Sequence, residues 1–294
     1  MSSVEPDLSV IIPAHNEEAV IKRCLESLQA DLRQGRIEVI VICNGCSDRT
    51  ADLSRAASSL ITVVESETAS KHQALNLGDE MATGRHRAYL DADTVLSSGA
   101  LSAITELLDT PGILAASPKV AFDVTNCSWA ARQFHRIWAQ SPYFTERTTL
   151  GAGFYALSEE GRSRFERFPE AVGDDFFIAS TIAERDRATA EGATFTPLLP
   201  TTLRQMMNVH IRHYGAHVEL ADQFAAAGRE AELTPPDRDY RWLRPLLQSA
   251  ANWPGIALFV AVKVGAKPLG KRKARQARMT DWNRDDAARA TTTS

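Results

Sequence analysis

Short β-rich runs alternate with helical patterns through the first half of the chain, and this alternation constrains the fold more than any other feature. Leu8 to Pro13 and Ile37 to Cys43 are almost wholly apolar, as expected of strands buried on both faces. Between them, Glu17 to Leu32 places apolar residues at helical spacing. A strand, a helix and a strand in this order predict a parallel pair joined by a crossover helix.

The same rule predicts further elements as far as Pro118, where the regularity ends. Aromatic residues then gather in a stretch that is typical of helices crossing the edge of a sheet. The predicted elements are helices from Thr50, near Ala69 to Ala82 and over Thr202 to Tyr214, and strands over Ile61 to Val64, Arg87 to Leu90 and Ile113 to Ser117.

Two changes of pattern divide the chain into 1–118, 119–234 and 235–294. The last segment holds an apolar run, Gly255 to Val264, followed by basic residues without an acid. This pattern predicts peripheral membrane contact through 255–278, with a surface helix on anionic lipid. The alternative is a helix packed on the domain with a solvated basic end. The basic residues are Lys267, Lys271, Arg272, Lys273, Arg275 and Arg278.

Composition excludes several classes of protein. A net charge of −4 argues against a nucleic-acid partner, since phosphate affinity needs a cationic surplus. Four scattered cysteines do not form the disulfide framework of a small secreted scaffold, and no run of about 18 apolar residues could span a membrane. We therefore predict a cytoplasmic protein that can associate with the inner face of the membrane.

The YLDAD run contains Asp91 and Asp93 just past an apolar strand. Residues i and i+2 of an extended backbone point the same way, so both carboxylates can face one ligand at the edge where open α/β sheets bind ligands. Hard oxygen donors suit Mg²⁺ or Mn²⁺, which would bridge a diphosphate. The alternative is a helix N-cap or a solvated turn.

The loop from Cys43 to Thr50 also follows a buried strand. Asp48 can cap the next helix or meet the ribose or base of a ligand, and Gly45 permits a tight turn. Cys43 and Cys46 form a C-x-x-C pattern, so redox or zinc chemistry is an alternative, although no second ligand pair accompanies it. Buried small side chains explain the two cysteines more simply.

Asp174 and Asp175 follow a glycine and precede apolar residues, which is typical of a helix start. A carboxylate beside apolar walls and a second carboxylate tends to have a raised pKa, which suits a general base. Helix capping is the alternative. His210 and His213 lie near a predicted helix end and are second candidates for metal ligands, against an ordinary role in compensating the helix dipole.

Taken in order, the segments PAHNEE, VICNGCSDRT, the helix from Lys71 to Gly84, YLDAD, GAGFYAL and GDDFF resemble the family-2 glycosyltransferases of GT-A fold. The resemblance covers residues 8 to about 215. It implies an α/β fold with a mixed, mainly parallel nucleotide-binding sheet flanked by helices, and with a C-terminal helical extension. Residues 1–118 would bind the nucleotide sugar, and 119–234 would form the acceptor and catalytic half of the same domain.

The resemblance also implies roles for individual residues. Asp175, beside Asp174, matches the presumed general base, and Asp93 matches the metal-binding acid with Asp91 on the ribose or sugar side. Arg212 is similar to the basic residue of the family's C-terminal lid. The nucleotide and donor would contact Pro13, Ala14, Asn16, Glu17, Asn44, Asp48, Lys71, Asp91, Ala92, Asp93, Gly153 and Arg212.

The implied activity is a metal-dependent, inverting hexosyl transfer from a nucleotide-diphosphate sugar to an acceptor hydroxyl, with Mg²⁺ or Mn²⁺ as cofactor. If the C-terminal segment docks on lipid, the acceptor can be lipid-linked. The chain departs from the family at Cys43 and Asn44, where many members carry paired acids. It lacks the Q-x-x-R-W motif of processive synthases, which favours a single transfer. A nucleotidyltransferase, a retaining transferase and a non-catalytic nucleotide-sugar binder are the alternatives.

Overall fold

The computed structural model describes residues 5–146, 148–170, 173–226, 228 and 239–276. Arg278 of the predicted basic cluster and the predicted boundary between 234 and 235 lie outside these residues. Within them, eight strands form one sheet. They are β1 (Leu8–Ala14), β2 (Ile37–Asn44), β3 (Ile61–Ser66), β4 (His86–Leu90), β5 (Val95–Leu96), β6 (Ala115–Val120), β7 (Phe154–Leu157) and β8 (Arg187–Thr196).

The strand order is β3-β2-β1-β4-β7-β6-β8-β5. Strands β1 to β4 are parallel neighbours, and β6 is parallel to β8, whereas β7 runs antiparallel to β4 and β6 and β5 antiparallel to β8. Because β7 joins β4 to β6, one sheet continues through both predicted halves of the domain.

Twelve α-helices flank or follow this sheet in the described part of the chain. The predicted mixed, mainly parallel α/β sheet with helices on its faces and a C-terminal helical extension is confirmed. The helices are α1 (Ile21–Ser27), α2 (Gln29–Arg33), α3 (Thr50–Ala57), α4 (Lys71–Met81), α5 (Ala100–Leu108), α6 (Trp129–Trp138), α7 (Pro142–Thr145), α8 (Glu159–Arg162), α9 (Asp174–Thr181), α10 (Leu203–Ala226), α11 (Leu243–Leu246) and α12 (Trp253–Gln276).

Several predicted elements differ in extent. The single helix predicted over Glu17 to Leu32 is the pair α1 and α2, because the chain first turns at Glu17 and the helix then breaks at Leu28. The helix predicted to end at Tyr214 continues to Ala226. Strands β5, β7 and β8 are not anticipated, since β5 has two residues, β7 has four, and β8 buries mainly small side chains.

The central strand β1 is buried along its whole length, which fits a strand covered on both faces. Val10 and Ile12 pack into one apolar cluster with α1 and α5, while Ile11 between them packs into a second cluster with Leu75 and Tyr89. Because neighbouring residues of β1 point to opposite faces of the sheet, helices pack against both faces. The carboxyl ends of β1 and β4 are left at one edge of the sheet, where the predicted site residues follow.

A buried carboxylate, Asp79, ties α4 to the sheet and to α8. It accepts hydrogen bonds from the Tyr89 hydroxyl at 2.8 Å and from Arg162 Nε at 2.8 Å, and Arg87 Nε lies 3.6 Å away. Burial raises the pKa of Asp79, and the two arginines oppose that shift. Since α4 begins at Lys71, this network also positions the first turn of α4 at the site.

Replacing Asp79 with alanine leaves two partly buried guanidinium groups without their shared partner. We expect the free energy of unfolding to fall by about 3–5 kcal/mol, as for other broken buried ion pairs. Chemical denaturation of wild type and Asp79→Ala measures the difference.

Glu80→Ala is the matched control, because Glu80 is the next residue and pairs only on the surface with Arg167, at 2.9 Å. The free energy of unfolding of Glu80→Ala should stay within about 0.5 kcal/mol of the wild-type value. Equal losses in the two variants would contradict the role assigned to Asp79.

Candidate active site

A cavity of about 350 Å³ opens at the carboxyl ends of β1 and β4. Its walls come from the end of β1, the start of α4, the turn after β4, the loop before β7, the start of α9 and one side of α10. Ten of the residues predicted for the site line this cavity. They are Pro13, Glu17, Lys71, Asp91, Asp93, Gly153, Asp174, Asp175, Arg212 and His213.

The ammonium group of Lys71 joins two parts of the site. Its Nζ lies 2.8 Å from Oδ1 of Asp91 and 2.9 Å from Oδ1 of Asp174. Burial on its own would lower the pKa of Lys71, but the charges of Asp174 and Asp91 outweigh it and raise this pKa above its usual value. Lys71 therefore stays cationic and holds two carboxylates that come from distant parts of the chain.

Asp174 and Asp175 begin α9 but have different surroundings. Asp174 binds Lys71 and accepts a hydrogen bond from the Tyr155 hydroxyl at 2.9 Å. Asp175 accepts one from the backbone N–H of Phe176 at 2.8 Å. Burial, and then the neighbouring charge of Asp174, raise the pKa of Asp175 to about 6. Asp175 is thus the carboxylate of this pair that can take up a proton near neutral pH.

Gly151 sets how closely the loop before β7 approaches Asp175. Its φ is +121°, and a Cβ atom built there would lie 2.7 Å from Cβ of Asp175. Any other residue would be strained and would displace the carboxylate. Gly151 lies in the GAGFYAL segment, but no local pattern points to its role, because its neighbour in space, Asp175, is 24 positions away.

The turn after β4 presents two carboxylates to the cavity. Asp91 and Asp93 are half-buried, whereas Ala92 between them is buried in the core, so both acids lie on the same side of the chain. The backbone N–H of Asp91 donates to the carbonyl of Gly153 at 2.9 Å, which ties this turn to the loop before β7. The helix-capping alternative does not fit here, because α5 begins only at Ala100.

Other predicted contact residues connect loops instead of lining the cavity. The N–H of Ser47 donates to Asn16 Oδ1 at 2.8 Å, and the N–H of Glu18 donates to Asp48 Oδ2 at 3.0 Å. Asp48 also accepts from the Thr50 hydroxyl at 2.6 Å. These bonds fix the first two loops to each other, which gives Asn16 and Asp48 a structural part in this arrangement.

Asn44 and Ala14 are buried behind the cavity wall. With its amide turned to satisfy its neighbours, Asn44 donates to the carbonyl of Ala14 at 2.6 Å and accepts from the N–H of Ser70 at 3.0 Å. Ser70 in turn caps α4. The Asn44 side chain therefore positions the first turn of α4, in which Lys71 lies, and does not face the cavity.

The two cysteines of the second loop are free thiols. Cys43 is buried, and the Cys46 thiol donates to the carbonyl of Ala14 at 3.5 Å. No group of three His, Cys, Asp or Glu side chains able to hold a metal occurs within the described ranges, so the zinc alternative has no support there. Cys43 is thus a buried small side chain, and Cys46 is a half-buried one.

His210 does not lie with the carboxylates. It is buried against Phe134 and Trp138, and its Nδ1 lies 3.5 Å from Nζ of Lys263. Burial and this neighbouring cation lower its pKa well below the usual value. His213 lines the cavity but belongs to no group of three metal donors among the described residues. The geometry therefore separates His210 from the carboxylates, whereas metal ligation by His213 stays a prediction.

One side of the cavity is apolar. The sequence patterns did not assign the residues of this side to the site. Phe122, Trp138 and Phe144 form a cluster with ring centroids 5.0 to 6.1 Å apart. The concentration of aromatic residues after Pro118 was the available signal. Tyr155, the partner of Asp174, carried no signal of its own. Further apolar lining comes from Val120, Leu198, Leu199, Met206 and Val209.

Comparison with known proteins identifies the family of this fold and site. The model of glycosyl transferase family 2 matches residues 9–162, which is more than half of the chain. The chain belongs to glycosyl transferase family 2. The resemblance inferred from the sequence motifs is confirmed, and the family membership gives no support to a nucleotidyltransferase.

Two relatives illustrate the range of this family. The chain is 30% identical to the glycosyltransferase AglE of Haloferax volcanii over 139 residues, 46% of each protein. It is 34% identical to an undecaprenyl-phosphate 4-deoxy-4-formamido-L-arabinose transferase of Pseudomonas aeruginosa over 93 residues, 29% of this chain and 27% of that protein. The chain thus spans less than half the length of these relatives.

A solved structure shares the fold. The mannosyltransferase PcManGT of Pyrobaculum calidifontis, determined in complex with GDP-Man and Mn²⁺, matches with a TM-score of 0.57 at 23% identity. The match covers 93% of this family-2 chain and 78% of the other. The described sheet and helices therefore match a GT-A glycosyltransferase structure.

Proposed function

We propose that this family-2 glycosyltransferase moves a hexosyl group from a nucleotide-diphosphate sugar to an acceptor hydroxyl, once per encounter and with inversion. The observation that carries the proposal is the pairing of Asp175, a carboxylate with a pKa of about 6, with the acids Asp91 and Asp93 on one cavity. The first can accept a proton, and the other two can hold the metal of a diphosphate. Mannosyl transfer from GDP-Man by PcManGT fits the same donor class.

Asp91 and Asp93 suit a divalent cation that arrives with its substrate. Mg²⁺ is usually held by one or two carboxylates, and phosphate oxygens and water complete its shell. Two acids on the cavity wall fit that pattern, whereas a site built from protein alone would need more donors. Bound Mg²⁺ or Mn²⁺ would supply positive charge against the departing diphosphate.

Asp175 is the group that we assign as the general base. Its carboxylate accepts the proton of the acceptor hydroxyl as that oxygen forms a bond to the anomeric carbon. The bond from this carbon to the diphosphate breaks on the opposite face, so the configuration inverts. Asp174 stays bound to Lys71 and Tyr155, and its negative charge keeps the pKa of Asp175 high enough for the proton transfer.

The apolar side of the cavity favours an acceptor that carries an apolar portion. Phe122, Trp138 and Phe144 present a continuous aromatic surface to the cavity, which can pack against an apolar chain. Arg212 lines the same cavity and can meet a phosphate. We infer a lipid-phosphate-linked acceptor, and the relative named as acting with undecaprenyl phosphate supports this class.

Asp175→Asn should lower turnover by about 10²–10⁴-fold, because an amide cannot accept the proton. In the wild type, turnover should rise with pH through about 6, since only the carboxylate form of Asp175 acts as a base. The variant should lack this acid limb. Steady-state rates of nucleoside diphosphate release between pH 5 and pH 8 measure both effects.

Glu170→Gln is the control for this experiment, because Glu170 is an exposed carboxylate that lines the same cavity. Its turnover and acid limb should match those of the wild type. An Asp175→Asn enzyme with full turnover would remove Asp175 from the mechanism. Donor binding without turnover in the wild type, over a broad acceptor screen, would favour the non-catalytic alternative.

Asp93→Ala should abolish metal-dependent binding of the donor. We expect one family of nucleoside diphosphates and their sugars to raise the melting temperature of the wild type with Mn²⁺ present, and to have little effect on the variant. Thermal shift with and without Mn²⁺ measures this. Asp52→Ala, an exposed acid on α3, should behave as wild type. Stabilisation of Asp93→Ala by nucleotide and Mn²⁺ would exclude Asp93 as a ligand.

Phe122→Asn should weaken use of a polyprenyl-phosphate acceptor by about 10- to 100-fold in kcat/KM, which corresponds to losing the burial of one aromatic side chain. Hydrolysis of the donor without acceptor should be unchanged, and this internal control separates acceptor binding from damage to the donor site. Better turnover with water-soluble acceptors than with polyprenyl phosphate would contradict the lipid-linked class.

A further inference from the structure

Helix α12 is apolar on two opposite sides. Its first ten residues, 253–262, contain no charged or hydrogen-bonding side chain except the indole of Trp253. One side, with Phe259 and Val262, is buried against neighbouring helices. On the other side, Trp253, Val260 and Val264 are 59%, 42% and 67% exposed. A helix at the surface of a water-soluble protein ordinarily carries polar residues there.

The exposed residues form one stripe. At 100° per residue, Trp253, Val260 and Val264 lie within about 40° of one another around the helix axis. The same stripe continues with Lys271 and Arg275. It is therefore about 33 Å long from Trp253 to Arg275 at 1.5 Å per residue, with an apolar beginning and a basic end. We refer to these five residues as the α12 stripe.

The surrounding charge has one sign. Residues 240–280 contain no aspartate and no glutamate. In the described part of α12, Lys271, Arg272, Lys273 and Arg275 are exposed. This is the opposite of the chain as a whole, which has a net charge of −4. A partner of this surface must therefore be apolar beside the first half of α12 and anionic beside the second half.

We propose that the α12 stripe docks the protein on an anionic lipid bilayer. Trp253, Val260 and Val264 enter the boundary between headgroups and acyl chains, and Lys271 and Arg275 meet the lipid phosphates. No helix in the described ranges is long and apolar enough to cross a bilayer. A second copy paired through the same stripe fits less well, because its basic end would lie either against the other basic end or against the apolar beginning.

The inner side of α12 reaches the wall of the active-site cavity. Nζ of Lys263 lies 5.4 Å from the ring centroid of Trp138, and Trp138 lines the apolar side of that cavity. Docking through the stripe would therefore place the apolar side of the cavity near the membrane. The use of this position, to bring a lipid-linked acceptor to the cavity, rests on the proposed function, whereas the docking itself does not.

Vesicle co-sedimentation of the full chain tests the docking without any sugar or nucleotide. We expect the wild type to sediment with phosphatidylcholine vesicles that contain about 30% phosphatidylglycerol, and not with pure phosphatidylcholine. Two double variants remove one part of the stripe each: Val260→Asp/Val264→Asp and Lys271→Glu/Arg275→Glu. Each should lower the partition coefficient onto the vesicles at least about tenfold. Higher salt should weaken wild-type binding.

Leu60→Asp is the matched control, since Leu60 is an equally exposed apolar residue at the turn before β3. It should sediment as the wild type does. Circular dichroism and the melting temperature of each variant establish that it is folded. Failure of the wild type to sediment, or sedimentation unchanged in both stripe variants, would overturn the proposal.

A dimer of the wild type that the Val260→Asp/Val264→Asp variant dissociates, without vesicle binding, would also overturn the proposal and would assign the stripe to a second copy. Because these assays need no turnover, an enzyme that fails the activity tests but binds anionic vesicles would refute the proposed function and leave the docking intact.

Discussion

The ion pairs of Lys71 are the interaction on which the arrangement of the site depends. Asp91, Asp93, Asp174 and Asp175 line one cavity, and four carboxylates so placed would repel one another without a cation between them. Lys71 contacts the acid that follows β4 and the acid that begins α9, and these lie 83 residues apart in the chain. It thereby ties the turn after β4 to the start of α9 at the wall of the cavity.

The same ion pairs make two adjacent aspartates chemically different. Asp174 is bound by Lys71 and Tyr155, so its charge is compensated locally. Asp175 faces the cavity against Gly151 and accepts a hydrogen bond from the backbone N–H of Phe176. Burial, and then the charge of Asp174, raise its pKa to about 6. A fixed anion beside a half-buried carboxylate is a simple way to obtain a base that titrates near neutral pH.

The Asn44 amide and the Asp79 network support this arrangement indirectly, because both hold α4 in place.

Much of the fold and part of the candidate site could be predicted from the sequence, because the patterns that indicate them lie within short segments of the chain. Strands β1 and β2 are nearly continuous apolar runs, which is why the parallel sheet could be predicted. Acids directly after a strand of such a sheet lie at its carboxyl edge, which is why Asp91 and Asp93 were predicted to face one ligand, and both line the cavity. Strand β8 was not predicted because its buried residues are mostly alanines, which carry little periodic signal. The contact from Lys71 to Asp174 depends on how α9 packs, and no local pattern encodes it. His210 was predicted as a possible ligand because Lys263 of α12, which lies against it, is 53 residues further along the chain.

The packing of α12 shows which of its apolar residues the fold requires. Gly255 meets α6 so closely that a Cβ atom there would lie 2.7 Å from the Gln133 carbonyl oxygen and from Ile137. This contact, with Phe259 and Val262 beside it, attaches the helix through its inner side. Trp253 and Val264 contribute little to that contact, since more than half of each remains exposed. Their exposure to water is unfavourable by roughly 25 cal/mol per Å² of apolar surface. An apolar stripe that folding does not bury is thus a cost to the free chain, and burial against another apolar phase would remove it.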